Sequence, residues 1–264
     1  MIIRSQKGAQ SDLLACPASE IFYGGARGGG KSHGILLDFA KHAFKHGGNV
    51  VGALFRRTYP ELEDLQQKAQ RIYPFLGATY KAGSKTWAFP SGAILRMRYL
   101  QNDDQVNNYI GHEYTWLGFD QLDSWSKQTT IDKLKANLRN PHGIPSRMVS
   151  TGNPGGVGHN WIKARYIDPA PPRTLIKENG SGSRCFIPAT VYDNEILLKS
   201  DPEYINRLKD SGAEWLVKAW LYGDWDIVAG GMFDDIWRRD THIIEPFDIP
   251  RTWRVDRSFD WGSS

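Results

Sequence analysis

Two features of this 264-residue chain can do chemistry together: the run Gly25-Ala-Arg-Gly-Gly-Gly-Lys31-Ser32 and the carboxylate of Asp120. The run fits G-x-x-x-x-G-K-[ST]. Glycines at Gly25, Gly28, Gly29 and Gly30 let backbone N–H groups converge on phosphate oxygens, an approach that side chains would block. Lys31 is placed to reach β- and γ-phosphates, and the Ser32 hydroxyl to ligate Mg²⁺. The implied ligands are ATP and Mg²⁺. A Gly-rich surface turn followed by lysine would share the composition but not the flanking strand and helix. Asp120 closes the apolar run Trp116-Leu-Gly-Phe119, and a carboxylate at such a strand end can hold the water shell of the metal.

The residue after Asp120 is Gln121. An amide cannot accept a proton at neutral pH, so it can orient an attacking water but not deprotonate it. Slow turnover is the expectation. Glu113 and Asp123 stand nearby in the chain with no evident hold on that water. Arg27 lies inside the loop. Turned inward it would contact the γ-phosphate; turned outward it is a surface charge. Thr151 and Asn153 fall at the end of a later strand, where a polar group can sense the γ-phosphate. The alternative there is a plain Asn-Pro turn.

The elements that must position these groups follow from pattern. Glu20 to Gly24 reads as a strand, and Gly30 to about His46 as a helix stopped by Gly47-Gly48. Asn49 to Phe55 is a second buried strand. Tyr59 to Tyr73 is a helix with Pro60 in its first turn and Glu61, Glu63 and Asp64 near its positive end. Ala78 to Tyr99 alternates and reads as a β-meander. Tyr114 to Asp120 is apolar enough for a central parallel strand covered on both faces. Lys127 to about Leu138 is helical, and Arg147 to Ser150 leads a strand into Thr151-Gly-Asn-Pro154. Strands alternating with helices predict an α/β fold with a mostly parallel sheet. After Pro169 the texture changes. Asp168-Pro-Ala-Pro-Pro172 is stiff, Asn179-Gly-Ser-Gly-Ser183 is flexible, and residues 201–222 read as two short helices broken at Ser211-Gly212. Trp253 to Phe259 reads as the start of a new strand.

Composition excludes several classes. Hydrophobic residues at 40% and charged residues at 23% are ordinary for a folded domain. No apolar run approaches the roughly 18 residues of a membrane span, and no signal pattern opens the chain, so a cytosolic protein with no membrane partner is expected. The two cysteines, Cys16 and Cys185, cannot build a disulfide framework and read as small hydrophobes. His112 and His159 read as structural. Residues 41–100 hold ten Lys/Arg against three Asp/Glu, a local +7 in a chain of net +4. That segment fits either a polyanion partner or a solvated surface.

These pieces resemble the large terminase subunit of tailed bacteriophages, specifically its N-terminal packaging ATPase. Gln10 resembles the family's adenine-contacting glutamine, and Tyr23 to Ser32 its arginine-containing Walker A. Phe55-Arg-Arg-Thr-Tyr-Pro-Glu-Leu62 is similar to the segment after its second strand. Tyr109-Ile-Gly-His-Glu-Tyr114 leading into Leu117-Gly-Phe-Asp120 resembles its Walker B approach, and Ser150-Thr-Gly-Asn-Pro154 its coupling motif. Asp193-Asn194 and Tyr222-Gly-Asp-Trp225 resemble landmarks between ATPase and nuclease. Phe259-Asp260-Trp-Gly262 resembles the first strand of the RNase H-like nuclease, with Asp260 as its first metal-binding carboxylate. Gln121 departs from the glutamate the family usually carries.

The resemblance implies a P-loop NTPase of RecA-like (ASCE) type. Residues 1–170 would form the ATPase core, 171–248 a small linker or lid subdomain, and 249–264 the opening strand of a nuclease domain too short to cut DNA. It implies ATP-driven movement of double-stranded DNA into a procapsid, by a homo-oligomeric ring seated on a portal protein and served by a small terminase subunit. The setting would be the host cytoplasm, with docking on the procapsid when active. A ring also implies an arginine donated by the neighbouring subunit, for which Arg139, Arg56, Arg57 and Arg98 are candidates. A helicase-like or switch ATPase acting on nucleic acid without packaging is the alternative. It would carry a second RecA-like domain after Pro169, where this chain shows a short turn-rich segment.

Overall fold

The computed structural model describes residues 3–177, 182–210, 214–227 and 239–259. The chain forms two units, Met1–Ile227 and Val228–Ser264.

The first unit is built on a nine-stranded sheet. Its strands are β1 (Glu20–Gly25), β2 (Val51–Arg56), β3 (Thr79–Lys81), β4 (Thr86–Ala88), β5 (Ile94–Tyr99), β6 (Trp116–Phe119), β7 (Arg147–Gly152), β8 (Ile176–Lys177) and β9 (Ser183–Ala189). The order across the sheet is β3-β4-β5-β2-β6-β7-β1-β9-β8. The six strands from β5 to β9 in that order pair in parallel. The short strands β3, β4 and β8 close the two edges in antiparallel fashion. The expected meander is thus present, and its last strand joins the parallel sheet.

The helices of this unit are α1 (Ala9–Ala15), α2 (Lys31–His46), α3 (Tyr59–Gln70), α4 (Gln128–Lys135), α5 (His159–Ile162), α6 (Glu195–Ser200), α7 (Tyr204–Lys209) and α8 (Glu214–Tyr222). Two of the long ones carry clear local instructions. Thr58 and Glu61 form a reciprocal capping box at the start of α3, with Pro60 in its first turn. Lys45 and His46 sit in the last turn of α2, where the dipole favours positive charge, and Gly47 stops the helix at φ 74°.

Successive side chains of the central strands point to opposite faces, and both sets are apolar because both faces are covered. Ile21, Tyr23, Leu54 and Trp116 point into one core with Ile35, Leu36 and Phe39 of α2 and Leu62 and Leu65 of α3. Phe22, Phe55, Leu117 and Phe119 point into the other, with Trp125, Ile131 of α4, Tyr166 and Trp225. Buried ion pairs tie the layers together. Asp38 of α2 accepts three bonds from Arg147 of β7, at 2.6, 2.9 and 3.1 Å, and one from the Trp116 indole at 2.9 Å. Glu20 of β1 is 2% exposed and meets Arg165, Lys135 and the Tyr166 hydroxyl. Burial opposes its ionisation, but Arg165 and Lys135 outweigh burial and hold the carboxyl below its ordinary range.

The structure departs from the sequence expectations in three places. The sheet does not stop at residue 170. β9 runs parallel beside β1, pairing Ile21 with Cys185 and Tyr23 with Ile187, so the core unit extends to Ile227. A strand that follows a Pro-rich and Gly/Ser-rich stretch is hidden by its flanks, although its Cys-Phe-Ile centre is apolar. Cys16 is half-buried rather than buried, and a hydrogen bond with the Cys185 side chain brings its thiol down to about 7. In the second unit, residues 254–259 form no strand. The described part there is a one-turn helix, Arg239–His242, followed by a turn in which the Trp253 N–H donates to the Pro250 carbonyl at 3.0 Å. The described residues of this unit offer the segment no strand to pair its backbone with. Asp260 lies outside the described residues.

Candidate nucleotide-binding site

β1, β6 and β7 are adjacent parallel strands, so their carboxyl ends open on one edge of the sheet. The loop after β1, Asp120 after β6 and the Thr151-Gly-Asn153 turn at the end of β7 therefore meet there. They line a cleft of about 580 Å³ that also receives Arg27, Gly28, Gly29, Gly30, Lys31, Ser32 and Gln121. A crevice outside the carboxyl ends of parallel strands is where open α/β sheets bind ligands.

Lys31 is the first residue of α2 and its ammonium is folded into the loop. Its Nζ donates to the carbonyls of Gly25, at 3.3 Å, and Ala26, and to Asn153 Oδ1 at 2.8 Å. Burial lowers Lys31 to about 8, against the pull of Asp123 and Asp120. Ser32 Oγ donates to Asp120 Oδ2 at 3.1 Å. Asp120 also accepts from the Thr151 hydroxyl and from Arg56, whose Nη2 lies 2.7 Å from Oδ2. Its own N–H is fixed to the Phe55 carbonyl at 3.0 Å. The pair Ser32–Asp120 offers hard oxygen donors only, a set that suits Mg²⁺ bound through few protein ligands and several waters.

Gln121 stands at φ 61°, in the left-handed region, with its N–H on Thr151 Oγ1 at 3.1 Å. This turn presents the side chain to the cleft instead of continuing the strand. Asp123, for which the sequence suggests no role, accepts the Asn153 N–H at 2.9 Å and so fixes the turn that carries Asn153. Burial raises its carboxyl above the ordinary range. Glu113 is on the surface with Arg139, at 3.6 Å.

The loop is walled by α6 to α8 as well as by the sheet. The Arg27 guanidinium lies 3.8 Å over the Trp220 ring of α8, and the Arg27 N–H donates to the Trp220 carbonyl at 2.8 Å. Arg27 is thus exposed at the rim, held by α8 while lining the cleft. The Asn194 amide donates to the Gly28 carbonyl at 2.6 Å. Gly28 has φ +76°, and a Cβ there would lie 2.7 Å from the Tyr204 ring of α7. Gly223, at φ +69°, follows α8 so closely that a Cβ would lie 2.7 Å from the Ala26 nitrogen. These contacts demand glycine for space as much as for phosphate access.

Gln10 of α1 is buried behind the loop, with both ends of its amide engaged. Nε2 donates to the Gly30 carbonyl at 3.0 Å, and Oε1 accepts from the Gln6 N–H at 2.9 Å. Here it braces the loop. Among the candidate trans-acting arginines, Arg56 is interior and bound to Asp120, and Arg57 pairs with Asp103 at 2.9 Å. Arg98 donates to the Met97 carbonyl at 2.8 Å, and Arg139 is exposed. His112 bonds the Tyr114 hydroxyl at 2.8 Å, and His159 accepts from the Gly155 N–H at 3.0 Å, both local structural contacts.

Four residues of the site carry no sequence mark of their role: Arg56, Asp123, Asn194 as a loop brace, and Lys68 of α3, which lines the cleft. Only strand register could have found Arg56, since it ends β2 next to the strand that ends before Asp120.

Among solved structures, the large terminase from a thermophilic bacteriophage aligns at TM-score 0.65 and 18% identity, over 94% of this chain and 60% of that one. The same phage protein in complex with ATP-gamma-S aligns at TM-score 0.64 and 17% identity, over 94% and 59%. The bacteriophage Phi-29 viral genome packaging motor assembly aligns at TM-score 0.52 and 14% identity, over 83% of this chain and 68% of that one. At these identities the likeness is one of fold, and this chain spans about 60% of the length of the thermophilic phage terminase. No curated protein sequence matches the chain. Residues 22–240 match the family described as terminase large subunit, T4likevirus-type, N-terminal. That match spans most of the sheet and every loop of the cleft, and the chain belongs to this family of large terminase subunits, as its N-terminal domain.

Proposed function

We propose that this chain is the ATP-hydrolysing part of a motor that moves double-stranded viral DNA into a procapsid. The observation that carries the reading is the convergence of Lys31, Ser32, Asp120 and Asn153 at the ends of three adjacent strands, with Lys31 touching Asn153 and Ser32 touching Asp120. A phosphate-binding loop, a strand-end carboxylate and a polar group able to register the γ-phosphate are the parts that nucleotide-driven movement requires.

The chemistry follows from these groups. Backbone N–H groups of the loop and the start of α2 cradle the triphosphate, and the helix dipole favours its charge. Lys31 exchanges Asn153 and the loop carbonyls for β- and γ-phosphate oxygens. Ser32 and Asp120 would hold Mg²⁺, whose charge would offset that of the phosphates. Gln121 orients a water in line with the γ-phosphorus, and the water's proton passes to the phosphate as the bond to ADP breaks. ADP and inorganic phosphate result. Once Lys31 leaves Asn153, the turn held by Asp123 is free to register whether γ-phosphate is present. Hydrolysis is slow because position 121 lacks a base.

Of the linker or lid subdomain expected over residues 171–248, helices α6, α7 and α8 cover the loop, and residues from 249 onward begin a nuclease domain in which Asp260 is the first metal ligand. The working form is a homo-oligomeric ring on a portal protein, served by a small terminase subunit, in the host cytoplasm and on the procapsid. No helix among the described residues is long and apolar enough to cross a membrane. Titration with a fluorescent ATP analogue tests the core of the reading. Binding that survives Lys31→Ala unchanged would refute it.

A further inference from the structure

The carboxylate of Asp120 has a partner outside the phosphate loop and the acidic strand. Arg56 is 3% exposed, and its Nη2 lies 2.7 Å from Asp120 Oδ2. The contact follows from topology: β2 and β6 are parallel neighbours with Phe55 opposite Phe119, so the next residue of each strand stands side by side. The same nitrogen lies 3.9 Å from Oδ2 of Asp64 in α3. Asp64 in turn holds Lys68 at 2.6 Å, on the wall of the cleft.

A buried guanidinium is costly, and this one is not fully satisfied, because its Nε has no hydrogen-bond partner among the described residues. Packing alone would be served as well by an aliphatic side chain. The guanidinium offsets the cost of burying the Asp120 carboxylate and, together with the Thr151 hydroxyl, fixes the plane in which its oxygens lie. Ser32 already donates to that carboxylate, so the two oxygen donors for the metal stand together without it.

We propose that Arg56 is a positioning residue for nucleotide hydrolysis, holding Asp120 in one orientation so that the Ser32–Asp120 pair is formed before Mg²⁺ and nucleotide arrive. This rests on the reading above that the cleft takes Mg·ATP. Groups that orient metal-binding side chains typically contribute about 10–100-fold to metal affinity.

The test is calorimetric titration with ATP-γ-S, once with Mg²⁺ and once with EDTA. The unaltered protein binds more tightly with Mg²⁺. Arg56→Gln keeps its affinity in EDTA, while the gain from Mg²⁺ falls by about 10–100-fold. Arg56→Lys, which keeps the charge without the planar fork, falls between the two. Asp64→Asn keeps the full gain, because it leaves the Arg56–Asp120 contact in place. A full Mg²⁺ gain in Arg56→Gln overturns the proposal, as it does in Arg56→Lys if circular dichroism shows that the glutamine variant does not fold. So does an Asp64→Asn variant that loses the gain as completely as Arg56→Gln, since Arg56 would then act through α3. Failure of the unaltered protein to bind ATP-γ-S in either buffer is a different result: it removes the nucleotide reading itself, and this one with it.

Discussion

Lys31 Nζ and Asn153 Oδ1 are 2.8 Å apart, although 122 residues separate them in the chain. The lysine that should meet phosphate is already committed, to Asn153 and to two carbonyls of its own loop. A triphosphate must win it away. Asn153→Ala is therefore expected to bind ATP no more weakly than the parent but to hydrolyse it more slowly, because the group that responds to γ-phosphate is gone. Parallel binding and turnover assays check this. Weaker binding with unchanged turnover would contradict it.

Burial brings Lys31 to about 8 before phosphate is bound. Phosphate favours the charged lysine and raises its pKa in the complex. Binding above pH 8 must therefore take up a proton, and ATP affinity should fall by up to about tenfold per unit as pH rises from there. Affinities between pH 7 and 9.5 report this directly. A flat profile in that range would place Lys31 away from the phosphates.

Gln121→Glu should raise kcat. General-base catalysis is worth about 10²–10⁴-fold, and the affinity for ATP should change little because position 121 meets the water. Steady-state assays with DNA present, at concentrations that promote assembly, make the comparison fair to any arginine supplied by a neighbour. Equal rates would mean that another residue holds the attacking water.

Duplex DNA binding should be independent of sequence and sensitive to salt. Arg56 is interior, Arg57 is paired, and Lys68, Lys85, Arg96 and Arg98 are half-buried, so the fully exposed charge of residues 41–100 rests on Lys41, Lys45, Arg71 and Lys81. Four phosphate contacts imply roughly a hundredfold loss of affinity between about 50 and 200 mM salt. Replacing all four with glutamine should flatten that dependence. A strong preference for one sequence would argue for contacts of another kind.

Glu20→Gln should destabilise the fold by about 3–5 kcal/mol, since Arg165 and Lys135 lose a buried counter-charge. Its carboxyl is held below the ordinary 4.5, so the stability it contributes is present above that pH and is lost as pH falls through the lower folded-state value. Denaturant melts of the parent and variant at pH 7 and below pH 4 should converge at the acid end. A constant gap would assign the effect to packing.

The parallel sheet and the phosphate loop were legible because their signals are local. Gly25 to Ser32 needs only a strand before it and a helix after it, and Asp120 ends an apolar run. Asn153 was legible as a strand-end residue, but its contact with Lys31 depends on β7 lying next to β1. Arg56 was hidden for the same reason. As one of two adjacent arginines at a strand end it looks like surface charge, and only the pairing of β2 with β6 turns it inward. β9 was missed because the Pro-rich and Gly/Ser-rich stretches before it read as linker, while its place in the sheet comes from a partner far upstream.

The position of β1 also sets a schedule for the newborn chain. Both of its neighbours, β7 and β9, are made long after it, roughly 130 and 160 residues downstream, which makes its pairing strongly non-local. At about 5–20 residues per second, the strand that leads into the phosphate loop waits for on the order of ten seconds or more with its backbone unpaired. The N-terminal segment cannot settle into its native place on the ribosome ahead of the rest. Ile21, Phe22 and Tyr23, wholly interior in the finished fold, stay open to other chains over that interval, which makes the early exposure of β1 an aggregation hazard.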